Sequence, residues 1–148
     1  MTRKWRQKSD PLFRGDHADA VGLPSPSADD SIVRHILYLE GAGRKTPYLS
    51  TTELHEIAEH FGGRTGRVWK VMFRRLQDEG LTHISRIELL DLLNGRGKGR
   101  ATWRSALEVA LARRYAEQWY EHLIDFSPLA PTEDSQLRKV VDRCFDKA

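Results

Sequence analysis

Residues 46–71, TPYLSTTELHEIAEHFGGRTGRVWKV, govern how the rest of the chain is read. TPYLS is strand-like. In TTELHEIAEHF, Leu54, Ile57, Ala58 and Phe61 recur at i, i+3, i+4 and i+7, which lays one apolar stripe along a helix. Gly62 and Gly63 stop it. In GRVWKVMF, Val68, Lys70 and Met72 alternate with Trp69, Val71 and Phe73, the period of a strand with one apolar face. The window therefore reads strand, helix, strand. Ser50 is its open question. It stands three residues before Glu53 in the order S-T-T-E, the spacing of a capping box, which accounts for a serine with no activity. The alternative gives its hydroxyl a place in a site.

Upstream, PLFRGD (11–16) reads as a short strand ending in a turn, and its RGD alone does not signify adhesion. Residues 17–30 carry Gly22, Pro24 and Pro26 among Ser and Asp and read as a loop. DDSIVRHILYLEG reads as a helix capped by Asp29 or Asp30, with Ile32, Ile36 and Leu39 at helical spacing and Gly41 and Gly43 ending it. Downstream, Ser85 followed by Glu88 predicts a capping box that opens a short Leu-rich helix. GRGKGR is a basic loop without the Walker A pattern. ATWRSALEVALARRYAEQ predicts a helix, with Trp103, Leu107, Leu111 and Tyr115 near helical spacing. WYEHLIDF is either a last strand or a continuation of that helix, and TEDSQLRKVVDRCF reads as a terminal helix. Strands and helices mingle without regular alternation, so the expected class is α+β. The expectation is one domain over residues 1–148, with 1–10 loose.

Composition narrows the functional classes. Of 148 residues, 39% are hydrophobic and 30% charged, the balance of a globular chain. No apolar run approaches the ~20 residues of a membrane-spanning helix, and MTRKWRQKSDPLF lacks the apolar stretch of a secretory signal. Cys144 is the one cysteine, which excludes an internal disulfide and a thiolate zinc site. HEIAEH sets His55 and His60 five apart, so it is not HExxH. Net charge is +3 and the pI about 9.2, mildly basic. Arg64, Arg67, Lys70, Arg74 and Arg75 form one basic run; Arg96, Lys98, Arg100 and Arg104 form another. Each is either a solvated face or a surface for phosphates or an acidic protein.

Read together, the segments LFRGD, YLSTT, ELHEIAEHFGG and GRVWKV, followed by a late glutamate, resemble the Arg–Ser-Thr-Ser–Glu class of ADP-ribosyltransferases, in its pierisin-like and polymorphic-toxin branches. The likeness runs from Leu12 to Asp125. It implies a split β-sandwich core with flanking helices, and NAD⁺ as co-substrate with no metal. It also implies transfer of ADP-ribose to a cytoplasmic macromolecule: RNA, DNA or protein. By the same resemblance the chain is part of a secreted effector of interbacterial competition. That effector acts in the target-cell cytoplasm, is neutralised by a cognate immunity protein, and has no membrane insertion by this domain.

The resemblance places Arg14 on the diphosphate, where a guanidinium supplies paired donors. It places Ser50 on the catalytic glutamate, whose carboxylate steadies the electron-poor ribose formed as the glycosidic bond breaks. Gly15, His17, Tyr48, Thr51 and Thr52 join the NAD⁺ side, with Thr52 supporting the turn. Glu88, Glu108, Glu117 and Glu121 compete for the glutamate, and the choice is Glu121, in WYEHLIDFSPLAP. If that segment is a strand, Trp119, Glu121 and Leu123 share one face. The family often carries Glu or Gln two positions earlier to activate the acceptor. Trp119 stands there and Gln118 one place further back, so both are acceptor-side candidates, which puts arginine-directed transfer in question. The competing function is a non-enzymatic α+β module whose basic face binds nucleic acid.

Overall fold

The computed structural model describes residues 4–16, 19–39 and 45–148. The chain is α+β, as the mixed patterning predicts. Among the described residues six strands form one antiparallel sheet: β1 (Leu12–Asp16), β2 (Tyr48–Thr52), β3 (Arg67–Val71), β4 (Thr82–Ile84), β5 (Glu121–Asp125) and β6 (Asp146–Lys147). Their order across the sheet is β4-β5-β2-β1-β3-β6. The helices are α1 (Ile32–Leu37), α2 (His55–Gly62), α3 (Phe73–Asp78), α4 (Arg86–Leu92), α5 (Ala106–Gln118) and α6 (Asp134–Cys144).

The sheet is close to being two. β2 pairs with β5 along its whole length, from Tyr48↔Asp125 to Thr52↔Glu121, and β1 pairs with β3 from Leu12↔Val71 to Asp16↔Arg67. Between these halves β1 and β2 share one paired position, Phe13↔Thr52. Backbone groups beyond it need other partners, and that gap is where the site lies.

Alternation along the strands feeds two cores. Leu49 and Ile124 join Leu12, Trp69, Val71 and Phe126 in one, closed by Leu76 of α3 and Leu137, Val141 and Cys144 of α6. Tyr48 and Leu123 point the other way, into a core with Ile32, Val33 and Ile36 of α1, Leu89 of α4 and Val109, Ala112 and Ala116 of α5. No helix among the described residues is long and apolar enough to cross a membrane.

Several expectations need correction. The cap of α1 is Ser31, whose side chain accepts from the Arg34 N–H, and not Asp29 or Asp30. That helix ends at Tyr38, with φ of 52°, before the glycines assigned to stop it; Gly41 and Gly43 lie outside the described residues. The strand through GRVWKVMF ends at Val71, and Phe73 opens α3. In α5 the buried stripe is Val109, Ala112 and Ala116, while Leu107 is 84% exposed. In α2 only Ala58 of the predicted stripe is buried, and Phe61 is exposed. Ser85 caps α4 as predicted, its Oγ accepting the Glu88 N–H at 3.2 Å, while the Glu88 carboxylate accepts from the Ser85 hydroxyl at 3.3 Å. Within residues 1–10, Trp5 donates its indole N–H to Pro11 C=O and packs on His122, ring centres 4.5 Å apart.

Candidate active site at the split of the sheet

Ser50 does not cap α2. Strand β2 runs on to Thr52, and the N-cap of α2 is Leu54, with no side-chain bond. Ser50 Oγ instead bonds Glu121 Oε2 at 3.1 Å, across 71 residues of sequence. Ser50 and Glu121 project from the same face of the β2–β5 ladder because Glu121 is opposite Thr52, two residues from Ser50. Glu53, the glutamate of S-T-T-E, also makes its bonds away from the cap. Glu53 accepts from Arg86 Nε at 3.0 Å and contacts His122 Nε2 at 2.8 Å. Burial pushes its carboxyl up, but those two hydrogen bonds outweigh burial and hold it below the usual range.

Arg14 arrives from the other half of the sheet. Its Nη1 donates to the Ser50 C=O at 2.9 Å, across the gap between β1 and β2. Its Nε donates to Asp16 at 3.0 Å, and Asp16 also accepts the Gly22 N–H at 2.8 Å. The guanidinium is thus held in place by both halves of the sheet. Gly15 beside it lets α2 cross β1 closely: a Cβ there would lie 1.9 Å from the Ala58 carbonyl oxygen.

Glu121 is 4% exposed. Burial pushes its carboxyl up to about 7, and the Ser50 hydrogen bond and the Arg14 charge only partly offset that. Thr52 Oγ1 donates to the Trp119 C=O at 2.7 Å and accepts the Leu54 N–H at 3.2 Å, so it ties the end of β2 to the entry of β5. Tyr120, with φ of 49°, turns the chain from α5 into that strand.

A cleft of about 160 Å³ opens over these groups, with Arg14, Gly15, Ser50, Thr51, Thr52 and Glu121 at its base and Tyr38, Phe61 and Trp119 at its rim. It adjoins a second hollow of about 280 Å³ that shares Arg14, His35, Tyr38 and Ser50 and extends to Arg34 and Lys45. The pair is large enough for a drug-sized molecule, and the second hollow is lined by cations suited to phosphate.

The remaining assigned residues separate into groups. Thr51 is buried and its hydroxyl donates to the His122 C=O at 3.0 Å. Tyr48 is buried at the wall of the second hollow: its hydroxyl donates to the Asp30 C=O at 2.7 Å, and burial pushes its phenol up to about 12. Trp119 is not on the strand. It sits at the C-cap of α5, stacked on Tyr115 at 4.8 Å, yet its ring reaches the cleft beside Phe61. Gln118 ends α5 on an exposed position and is not among the residues that line the cleft. His17 lies outside the described residues. The other glutamates have separate partners: Glu88 pairs with Ser85, Glu108 accepts from the Trp103 indole at 3.1 Å, and Glu117 pairs with Arg113.

The sequence reading missed His35, Tyr38 and Phe61. His35 sits in IVRHIL at the edge of its apolar stripe, three residues after Ile32, a position that carries no motif. Tyr38 reaches the cleft because the helix stops early. Among the described residues no group of three or more His, Cys, Asp or Glu is placed to hold a metal. Neither a family model, nor a curated protein, nor a solved structure matches this chain.

Proposed function

We propose that the chain transfers ADP-ribose from NAD⁺ to a macromolecule, with Glu121 as the catalytic carboxylate. The observation that carries this reading is the Ser50–Glu121 hydrogen bond at 3.1 Å, at the base of a cleft that also holds the Arg14 guanidinium. Three side chains from β1, β2 and β5 meet there, in the chain order of the Arg–Ser-Thr-Ser–Glu enzymes. The near-division of the sheet at Phe13↔Thr52 favours the split sandwich of that class. Arg14, with Arg34 and Lys45 in the adjoining hollow, suits a diphosphate. A carboxyl tuned to about 7 ionises readily once the cationic nicotinamide ring lies beside it. As a carboxylate it steadies the positive charge that grows on the ribose as nicotinamide leaves.

The acceptor assigned is a polyanion, RNA before DNA or protein, because Arg64, Arg67, Lys70 and Arg74 are all exposed. A delivered toxin acting in a target-cell cytoplasm and held in check by an immunity protein is the setting this reading carries with it.

The test is nicotinamide release from NAD⁺, with and without cell extract. Release by the wild-type chain, and its loss in folded Glu121→Ala, is the expected result. Folded wild-type protein that releases none in either condition overturns the assignment. A tagged NAD⁺ analogue in extract, followed by RNase, DNase or protease digestion, then identifies the acceptor.

A further inference from the structure

Ser50 has one hydroxyl proton and two neighbours that can take it. On one side lies Glu121 Oε2 at 3.1 Å; on the other, His35 Nε2 of α1 at 2.7 Å. The far nitrogen of that ring, Nδ1, is 2.8 Å from Thr46 Oγ1. The Thr46 hydroxyl donates to the Tyr48 C=O and accepts the Tyr48 N–H, each at 3.2 Å. A hydroxyl donates once, so Thr46 faces the ring as an acceptor and Nδ1 carries the hydrogen. A neutral His35 then turns its lone pair toward Ser50. With Glu121 ionised, the hydroxyl would face two acceptors and satisfy one.

One added proton satisfies both contacts, in either of two arrangements. Glu121 can hold it and donate to Ser50, which donates to His35. Alternatively His35 holds it and donates to Ser50, which donates to the Glu121 carboxylate. The two interconvert by moving two protons along the same pair of hydrogen bonds.

We propose that His35 is the proton partner of Glu121, exchanging a proton with it through the Ser50 hydroxyl. His35 acts through Ser50 and is therefore a positioning residue. The chemical step rests on the NAD⁺ reading, whereas the proton pairing stands on the geometry alone. In that step the bond from ribose C1 to the nicotinamide nitrogen breaks, and its electron pair leaves with neutral nicotinamide. The acceptor X–H forms the X–C1 bond and gives its proton to Glu121. The Ser50 hydroxyl relays a proton on to His35, which is half-buried at the cleft wall and releases it to water. The carboxylate is thereby restored after each turnover, although its burial favours the protonated form.

Among the described residues, the charged and titratable groups around His35 are Glu121 on β5, Arg14 on β1 and Tyr48 on β2, whose ring centre is 5.5 Å away. Arg34 and Tyr38 belong to its own helix end, Lys45 borders the adjoining hollow, and Arg100 stands behind Tyr48.

The experiment is an NMR titration of the imidazole nitrogens in the whole chain without NAD⁺, for wild type, Glu121→Gln and Ser50→Ala, with spectral dispersion reporting the fold. The neutral His35 ring should be the Nδ1–H tautomer. Its midpoint should fall by about one pH unit or more in Glu121→Gln, which removes the facing anion, and Ser50→Ala should uncouple the two titrations. An Nε2–H tautomer, or a midpoint unmoved by Glu121→Gln, overturns the pairing. Alongside it, His35→Gln should lower kcat for nicotinamide release roughly tenfold to hundredfold, flatten its pH dependence and leave KM for NAD⁺ nearly unchanged. An unaltered kcat and pH profile in that variant overturns the relay. Absence of release by wild type sinks the NAD⁺ assignment instead, and the titration still decides the pairing.

Discussion

Burial pushes the Glu121 carboxyl from an ordinary 4.5 to about 7. Between those values the folded chain binds more of this proton than the unfolded chain does. Its contribution to stability is therefore complete below 4.5, is lost as pH rises to 7, and stays lost above. Glu121→Gln keeps the shape and removes the ionisation. In urea melts at pH 8 the variant should be more stable than wild type by on the order of 3 kcal/mol, and the gain should vanish near pH 4. Equal stability at both pH values would mean that the carboxyl is not desolvated. A group that costs stability and lies in a cleft is a mark of a working site. The same scale shows why Ser50 could not be settled from its own window. S-T-T-E has the right spacing for a cap, but β2 keeps its backbone extended past Ser50, and the residue that decides the matter lies 71 positions away.

At the scale of elements, the position of α2 over β1 depends on a missing side chain. A Cβ on Gly15 would meet two backbone atoms, the Ala58 carbonyl oxygen at 1.9 Å and the Gly62 nitrogen at 2.5 Å. Neither can rotate away, so the helix itself must move. Gly15→Ala should lower stability by about 1–3 kcal/mol, the cost of overpacking, and, on the proposed function, should weaken NAD⁺ binding because α2 carries Phe61 to the cleft rim. Calorimetry of both quantities checks this; an unchanged melting temperature would show that the close approach is not needed. Elements with a strong local signal were legible: β1, β2, α2 and the Ser85-capped α4. Those set by distant packing were not. Helix α5 was foreseen, but with Trp103, Leu107, Leu111 and Tyr115 as its stripe. Its buried face is Val109, Ala112 and Ala116, small residues that let α1 and the sheet come near, and apolar size alone pointed the other way. Helix α3 was missed because FRRLQD buries one side chain, Leu76, and so offers no apolar periodicity to read.

For the molecule as a whole, the two cores on opposite faces of the sheet give two places to ask how cooperatively it opens. Cys144, the last residue of α6 and 1% exposed, reports on one of them, and burial pushes its thiol up to about 12. A thiol reagent at pH 8 should leave the native chain unlabelled for as long as that core stays shut, and the labelling rate in rising urea should follow global unfolding. Labelling that is fast in native buffer would show α6 opening on its own. The overall class was readable because mixed periodicities imply α+β. The convergence of Arg14, Ser50 and Glu121 was suggested by chain order, whereas the sheet order that brings them together is a property of long-range pairing that no local window contains. If the proposed function holds, that order has a consequence for how the chain can diverge. Ser50 and Glu121 sit on the fully paired strands β2 and β5, so their spacing follows the ~4.8 Å repeat of hydrogen-bonded neighbours and not the length of any loop, while Arg14 reaches the Ser50 C=O across the gap by its own hydrogen bond. On the proposed function, insertions in the connections, or new residues around the mouth of the cleft, can change the acceptor while Ser50 and Glu121 keep their geometry.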